Sequence, residues 1–258
     1  MSRLEQLLNL NQILLSEQSQ YREQAAEFPL ELQAQWRLFR SLVNVREPNP
    51  AGRAFLELQD SLLKEMIAEK GITKIDSLIP LQENIYLWQG DITTLQVDGI
   101  VNAANSGMTG CYCPCHGCID NAIHTYAGVQ LRLECAAIME EQGYPEPTGK
   151  AKITKAYNLP CHSVLHTVGP IVTGKLSEKD CALLASCYQS CLELADQHQL
   201  KSLAFCCIST GEFHFPNQKA AEIAVKAVKE FLSAHAEMSV VFNIFRDRDY
   251  EIYRKLLS

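Results

Sequence analysis

The hydrophobic pattern of this chain changes period near residue 80, and this change constrains the fold more than any other feature. Before residue 70 apolar residues recur at helical spacing, as in the first helix at Leu4, Leu7, Leu8, Leu14 and Leu15. From residue 80 onward, short apolar runs typical of strands alternate with helical stretches. Such alternation predicts an α/β fold, a three-layer α/β/α sandwich whose sheet is covered on both faces. We therefore expect a helical N-terminal extension over residues 1–75 and an α/β domain over residues 76–258.

The predicted strands place three polar segments at one edge of the sheet. Strands are predicted at 84–90, 98–105, 151–157, 162–169, 202–210 and 239–245. Helices are predicted between and after them at 120–142, 178–198, 217–233 and 247–257. Ligands of such folds bind outside the carboxyl ends of the strands. The segments "NAANS" (102–106), "HTVGP" (166–170) and "ISTGEF" (208–213) should therefore meet at one site.

Charge and hydropathy limit the classes of partner that this chain is expected to bind. The 258-residue chain carries a net charge of −7 and contains no block of Lys and Arg, which disfavours general nucleic-acid binding. An anionic ligand would have to be held by backbone N–H groups and helix N-termini. The first thirty residues are rich in charge and lack the pattern of a signal peptide, and no apolar run is long enough to span a bilayer. We expect a cytoplasmic protein without membrane contact.

Four cysteines and one histidine crowd into residues 111–118, "CYCPCHGC". Cysteines in a reducing compartment are more often thiols or metal ligands than disulfides. Zn²⁺ binds thiolate and imidazole, with four protein ligands in structural sites and three in catalytic ones. Spacing alone favours a closed structural zinc site. A Cys115–Cys118 disulfide and an iron–sulfur cluster are weaker alternatives, because neither fits a familiar sequence context.

Five sequence blocks occur in a characteristic order over the last two-thirds of the chain. They are "GDIT" (90–93), "DGIVNAANS" (98–106), "CIDNAIHTYAG" (118–128), "HTVGP" (166–170) and "AFCCISTGEFHFP" (204–216). Together they resemble the signature of the macrodomain family, whose members bind ADP-ribose and in several cases remove it from modified proteins. The resemblance implies a macrodomain sandwich with a mixed central sheet.

The resemblance also implies roles for single residues. Asp91, beside Ile92, would accept a hydrogen bond from the adenine amino group, and Asn102 and Asn105 would lie near the distal ribose. The alternatives are a helix cap for Asp91 and a simple turn for the asparagines. Phe245 is a candidate ring for stacking on adenine, unless it belongs to the core. The loop that wraps the pyrophosphate would comprise Ser209, Thr210, Gly211, Glu212 and Phe213.

The cysteine-rich segment departs from ordinary macrodomains and resembles a zinc-dependent subgroup with the loop G-C-x-x-P-x-H-x-C-I-D. The match implies that Cys111, His116 and Cys118 hold Zn²⁺, and it leaves Cys113 and Cys115 open. Three ligands within the substrate loop favour a catalytic site over a structural one. Asp120 would orient or deprotonate water with Asn105 beside it, or would cap a helix beginning at Asn121.

These features predict a zinc-dependent hydrolase that removes mono-ADP-ribose from a protein, at an acidic side chain. The subgroup is associated with a sirtuin-type ADP-ribosyltransferase and with a lipoyl-carrier protein resembling glycine cleavage protein H. Two alternatives stay open. One is a non-catalytic reader of ADP-ribose with a structural zinc site, and the other is a metal-dependent interaction module. The helical extension carries only apolar stripes, which indicates a scaffold.

Overall fold

The computed structural model describes residues 1–258 and contains nine α-helices and nine strands. The helices are α1 (Arg3–Glu17), α2 (Arg22–Ala25), α3 (Leu32–Val45), α4 (Arg53–Lys70), α5 (Ile119–Ala127), α6 (Val129–Gln142), α7 (Glu178–Gln197), α8 (Asn217–Leu232) and α9 (Asp247–Leu257). The strands are β1 (Thr73–Lys74), β2 (Pro80–Gln82), β3 (Ile85–Gln89), β4 (Leu95–Gln96), β5 (Gly99–Ala104), β6 (Ala151–Lys155), β7 (Ser163–Val168), β8 (Ser202–Phe205) and β9 (Ser239–Ile244). None of the helices combines the length and apolarity needed to cross a membrane.

Seven strands form one mixed sheet in the order β2-β3-β9-β8-β5-β7-β6. The inner pairs are parallel, and the edge strands β2 and β6 run antiparallel to their neighbours. Helices α5 and α6 cover one face, and α7, α8 and α9 pack in succession on the other. A continuous cluster of 41 buried apolar residues fills the space between the layers. The predicted three-layer sandwich with a mixed sheet is confirmed.

The first four helices build a second, smaller core. Its 11 buried apolar residues come from α1, α3, α4 and the short α2, with Leu7, Leu10 and Phe39 fully inaccessible to solvent. The chain then enters the sandwich through β1, where Thr73 pairs with Leu95. The helical extension is thus present as predicted, and the boundary at residue 75 stays a prediction.

The predicted helix over 120–142 is wrong at one point, because the chain breaks into α5 and α6 at Gly128. Gly128 has a φ of +97°, and a Cβ there would lie 2.6 Å from the side-chain amide of Gln59. Gln59 belongs to α4 and accepts a hydrogen bond from Val129 N–H at 3.1 Å. The break is therefore made where the extension docks, and only glycine fits it.

The predicted strand over 202–210 is also too long, since β8 ends at Phe205. Beyond it the backbone turns away from the sheet, and Ser209 and His214 adopt φ values of +64° and +56°. Both values lie in the left-handed region, which a strand does not contain. The segment after β8 is consequently a loop at the carboxyl edge of the sheet.

Candidate functional site

A cleft of about 800 Å³ opens at the carboxyl edge of the central strands. Its walls are the segments after β3, β5, β8 and β9, together with the cysteine-rich loop over residues 110–118, which we call the cysteine loop. The volume is within the range of small-molecule sites. The three segments predicted to meet do converge here, as the topology of a parallel sheet requires.

One end of the cleft holds Asp91. Its Oδ1 accepts from Thr93 N–H at 3.0 Å and caps the short helical turn over residues 92–94, and its Oδ2 accepts from Lys70 Nζ at 2.7 Å. Burial alone would raise the pKa of Asp91, but hydrogen bonds from Lys70 and Thr93 and the charge of Lys70 outweigh it and lower the pKa. Asp91 is thus a cap and an ionised cleft residue at once. Ile92 lines the cleft beside it.

Phe245 also lines the cleft, and 78% of its surface is exposed. It follows the last strand, where no helix covers it. The alternative of a core residue is therefore excluded, and the ring is available to a planar ligand group.

The loop after β8 borders the middle of the cleft through Ser209, Thr210, Gly211, Glu212 and Phe213. The backbone N–H groups of residues 211–213 donate to no acceptor within the protein. Consecutive N–H groups without partners in a turn form an anion-binding concavity. A Cβ on Gly211 would meet open space, so this position leaves the cleft unobstructed.

At the other end, Asp120 lies in the first turn of α5 and is 5% exposed. Its Oδ1 accepts from Asn102 Nδ2 at 2.8 Å, and its Oδ2 faces Asn105 Nδ2 at 3.4 Å. Burial raises the pKa of Asp120 to about 6, against the hydrogen bond from Asn102, the charge of Arg132 and the hydrogen bond from Asn105. Asp120 is therefore a buried carboxylate held at the wall of the cleft.

Two sequence-based expectations are corrected here. Asn102 is completely buried and does not line the cleft, because β5 points its side chain beneath the site toward Asp120 and His166. It orients Asp120 and has no surface for substrate. The expected cap of α5 by Asp120 is also wrong, since α5 begins one residue before Asp120 and Cys118 Sγ accepts from Asn121 N–H at 3.4 Å.

Three ligand atoms converge in the cysteine loop. The Sγ atoms of Cys111 and Cys118 and a ring nitrogen of His116 all lie within 4.8 Å of one another, and the three residues are half-buried at the cleft. His116 Nδ1 lies 3.7 Å from Cys111 Sγ, while its Nε2 faces Glu212 Oε1 at 3.7 Å. Burial raises the pKa of the Cys118 thiol to about 12. A thiolate at this position therefore needs a cation beside it.

The remaining two cysteines of the loop lie apart from this triad. Cys113 is exposed, and Cys115 turns its thiol toward α3, 3.3 Å from Ser41 Oγ. Of the sulfur atoms in the loop, the geometry thus brings together those of Cys111 and Cys118.

A second group of possible ligands lies beneath the cleft, formed by His124, Cys135 and His166. His166 Nδ1 accepts from Asn102 Nδ2 at 3.1 Å, and its Nε2 donates to Thr154 Oγ1 at 2.9 Å. Both ring nitrogens are thus engaged, and burial lowers the pKa of His166 to about 3. The His124 ring supports the cysteine loop, since a Cβ on Gly110 would lie 2.8 Å from it. In this group His166 is therefore hydrogen-bonding structure, whereas the buried His124 ring packs under the loop and neither of its nitrogens has a hydrogen-bond partner.

The structure adds two cleft residues from the extension, Arg40 of α3 and Lys70 of α4. Arg40 Nη2 donates to the carbonyl of His116 at 2.8 Å, and Lys70 lies over the Tyr126 ring at 3.6 Å from its centroid. The interpretation of the extension as a scaffold therefore missed its contribution to the site. Neither residue lies on the apolar stripes, so no sequence pattern indicated either of them.

Comparison with known proteins agrees with this geometry. The Macro domain family matches residues 101–224. A protein-ADP-ribose hydrolase of Treponema medium is 53% identical over 263 residues, covering 100% of each chain. A probable bifunctional ADP-ribose hydrolase/ADP-ribosyltransferase of Fusarium oxysporum f. sp. cubense is 41% identical over 250 residues, covering 89% of this chain and 42% of that protein.

Among solved structures, the Trypanosoma brucei macrodomain in complex with ADP-ribose has a TM-score of 0.65 at 32% identity. The superposition covers 85% of this chain and 95% of that one. Fold, ordered motifs and full-length similarity agree, and the chain belongs to the macro domain family.

Proposed function

We propose that this protein hydrolyses the bond between mono-ADP-ribose and a modified protein, with Zn²⁺ in the cysteine loop. The observation that carries the proposal is the convergence of the Cys111, His116 and Cys118 ligand atoms beside Asp120, at one end of a cleft whose other end holds Asp91. The hydrolase names of relatives that align over nearly the whole chain support the same reaction.

The donor set fits zinc. Two sulfurs and one imidazole nitrogen are ligands that Zn²⁺ prefers, and three protein ligands leave one position open. When bound, Zn²⁺ would supply Lewis-acid chemistry toward a substrate oxygen, on the distal ribose or on the carboxylate that leaves. Glu212 faces the far nitrogen of His116, which is the usual place for a group that orients a metal-binding imidazole.

Asp120 is the group that can handle a proton, and Asn105 lies beside it as a hydrogen-bond donor. Asn102 donates to Asp120 Oδ1, so that Oδ2 is left toward the cleft with only the distant amide of Asn105. Asp120 can therefore orient a water molecule and accept its proton at Oδ2. Asn105 donates to the carbonyl of Gly110 at 3.0 Å and so ties the base of the cysteine loop to the end of β5.

The rest of the cleft binds the nucleotide. Asp91 accepts from the adenine amino group, with Ile92 and Phe245 against the base. The pyrophosphate lies on the loop over residues 209–213, whose free N–H groups suit an anion in a chain with a net charge of −7. Backbone donors thus hold the pyrophosphate on this loop, while the basic side chains that line the cleft, Arg40, Lys70 and Arg246, lie on other segments.

The modification itself is proposed to come from a sirtuin-type ADP-ribosyltransferase and to lie on an acidic side chain of a lipoyl-carrier protein resembling glycine cleavage protein H. The resemblance of the cysteine loop to the zinc-dependent subgroup supports this, and the Fusarium relative, whose name pairs a hydrolase with an ADP-ribosyltransferase, supports an opposing transferase only. We propose that the two activities oppose each other on one cytoplasmic substrate.

The test is single-turnover release of ADP-ribose from a sirtuin-modified carrier protein. Native protein, chelator-treated protein and protein with zinc restored are compared, and affinity for free ADP-ribose is measured by calorimetry on each. We expect release to disappear with the metal and to return with it, while the affinity changes little.

Tight ADP-ribose binding at full zinc occupancy without release would instead identify a reader whose zinc only braces the loop. Binding of the carrier protein irrespective of its modification, without release of ADP-ribose, would identify an interaction module. Either result would overturn the hydrolase proposal.

A further inference from the structure

Helix α3 of the extension is fixed against the domain by a buried arginine of α6. Arg132 Nη1 donates to the carbonyls of Val43, Asn44 and Arg46 at 3.1, 2.8 and 2.6 Å. These carbonyls end α3, where a positive charge complements the helix dipole. The same guanidinium lies 4.3 Å from the ring centroid of Tyr112, in the cysteine loop. One side chain thus sets the position of α3 relative to the loop.

From this position α3 binds the backbone of the loop directly. Asn44 Oδ1 accepts from Cys115 N–H at 2.9 Å, and Arg40 Nη2 donates to the carbonyl of His116 at 2.8 Å. Arg40 also donates to Asn121 Oδ1, at 2.7 Å from Nη2 and 3.2 Å from Nε. Asn44 is 1% exposed and Asn121 is fully buried. These are directional, partly buried contacts, and two of their partners, Asn44 and Asn121, are shielded from water, so loss of the contacts leaves buried polar groups without partners.

Asn121 connects Arg40 to a further residue of the loop, because its Nδ2 donates to the carbonyl of Cys113 at 3.0 Å. The backbone held in this way is one that the loop does not favour by itself. Cys115 has a φ of +53°, in the left-handed region that residues with a Cβ rarely occupy. Such a conformation persists where the surroundings determine it, and here the surroundings are Asn44 at its N–H and α3 at its thiol.

We propose that α3 is a working part of the metal loop, with Arg40 and Asn44 as positioning residues that hold its backbone so that the three ligand atoms converge. The inference rests on the proposed function in that the triad takes Zn²⁺. It assigns the extension a role in the site beyond support of the fold. Neither residue needs to touch the metal, because both act through the carbonyl of His116, the N–H of Cys115 and Asn121.

The test compares Arg40→Met with Arg37→Met in the full chain. Arg37 lies one turn earlier on α3 with the same charge, and its exposed side chain makes no hydrogen bond or ion pair; its backbone carbonyl, which the substitution keeps, accepts from Cys115 Sγ at 3.5 Å. Zinc affinity is measured by competition with a chromogenic chelator, and amide exchange of residues 113–118 is measured on metal-free protein. We expect Arg40→Met to lower zinc affinity by about 10- to 100-fold, the usual effect of groups that orient metal ligands. It should also speed exchange in the loop, while Arg37→Met matches the native protein in both.

Arg40→Lys is the conservative variant and should recover part of the affinity, since one ammonium reaches one of the two oxygens at a time. If Arg40→Met does not fold, Arg40→Lys is compared with Arg37→Met instead. Unchanged affinity and exchange in both Arg40 variants, or an equal loss in Arg37→Met, would overturn the inference. The proposed function can fail separately. If native protein releases no ADP-ribose or binds no zinc, amide exchange of the loop in metal-free protein still tests the role of α3. Faster exchange in the Arg40 variants would support the inference. Unchanged exchange would overturn it.

Discussion

The two ends of the cleft receive the extension in different ways. At the cysteine loop, α3 binds mainly backbone groups through Arg40 and Asn44, and so controls the shape of the loop. At the opposite end, α4 reaches a cleft side chain directly, because Lys70 forms an ion pair with Asp91 at 2.7 Å. In the first contact Asn44 is buried and Arg40 is half-buried, whereas in the second the side chains of Lys70 and Asp91 are 31% and 37% exposed. The same extension thus acts through geometry at one end and through charge at the other.

This difference separates the expected effects of substitution. Changes at the cysteine-loop end should alter metal affinity and turnover while affinity for ADP-ribose stays close to native. Changes at the Asp91 end should alter nucleotide affinity and leave zinc in place. A substitution at one end that alters the property assigned to the other end would show that the two ends are coupled through the fold.

The largest effect is expected from Cys118→Ser, compared with Cys113→Ser in the same loop. Loss of a ligand sulfur should reduce zinc affinity by more than the about 100-fold that an outer-shell change costs, and release of ADP-ribose should fall to background. Cys113 is exposed and lies outside the triad, so its variant should keep one zinc per chain. Metal content by atomic absorption checks both. Loss of zinc in Cys113→Ser would show that the ligand assignment is wrong.

Asp120→Asn separates hydrolysis from metal binding at the cysteine-loop end, because it should slow hydrolysis while the metal stays bound. Without a carboxylate to accept a proton, the single-turnover rate should fall by about 10²- to 10⁴-fold. Zinc content and ADP-ribose affinity should stay near native, since Asp120 belongs to neither set of ligands. A rate within a few-fold of native, at full zinc occupancy, would remove Asp120 from the mechanism.

At the cysteine-loop end, the sequence already shows a cluster of ligand-type side chains beside Asp120, because these groups are close along the chain, and the family resemblance selects three of them as proposed zinc ligands. The triad spans residues 111–118, and Asp120 follows directly. The cap was assigned wrongly for a local reason, because the helix begins at Ile119, two residues before the expected start at Asn121, and the sulfur of Cys118 caps it in place of a carboxylate. The role of Asn102 could not be predicted in the same way. Alternation along β5 shows which face of the sheet its side chain points to, but it does not show that Asp120 covers that side chain.

The contribution of the extension could not be predicted in this way. Arg40 is 76 positions from His116, and Lys70 is 21 positions from Asp91. An apolar stripe shows which face of a helix is buried, but it does not show which charged residue at the edge of that face meets a partner. The break at Gly128 has the same origin, since its cause is a glutamine of α4. Local patterns predict elements, and contacts between distant elements complete the site.

Asp91→Ala tests the nucleotide end. Removing an acceptor that is ionised in the native protein should weaken ADP-ribose binding by about 10- to 100-fold, in line with a hydrogen bond to a charged group. Zinc content should be native. Inosine diphosphate ribose, which lacks the adenine amino group, should bind native protein more weakly than ADP-ribose and should bind the variant as well as ADP-ribose does. Unchanged discrimination between the two ligands would place the amino group elsewhere.

The smallest effect is expected from Lys70→Met, compared with Lys64→Met on an exposed position of the same helix. A partly exposed ion pair is worth at most about 1 kcal/mol, so ADP-ribose affinity should change by no more than about 5-fold. Zinc affinity should not change, in contrast with Arg40→Met.

The pH dependence of stability tests the Lys70–Asp91 ion pair more directly. Because the pKa of folded Asp91 lies below its ordinary value of 3.8, the pair stabilises the fold above that pH and ceases to do so as pH falls through the lowered pKa. The difference in melting temperature between native protein and Lys70→Met should therefore be present at pH 7 and shrink toward zero in acid. Lys64→Met should show no such trend. A difference that stays constant into acid would mean that Lys70 acts through its packing on Tyr126, and the contrast between the two ends of the cleft would then be one of geometry alone.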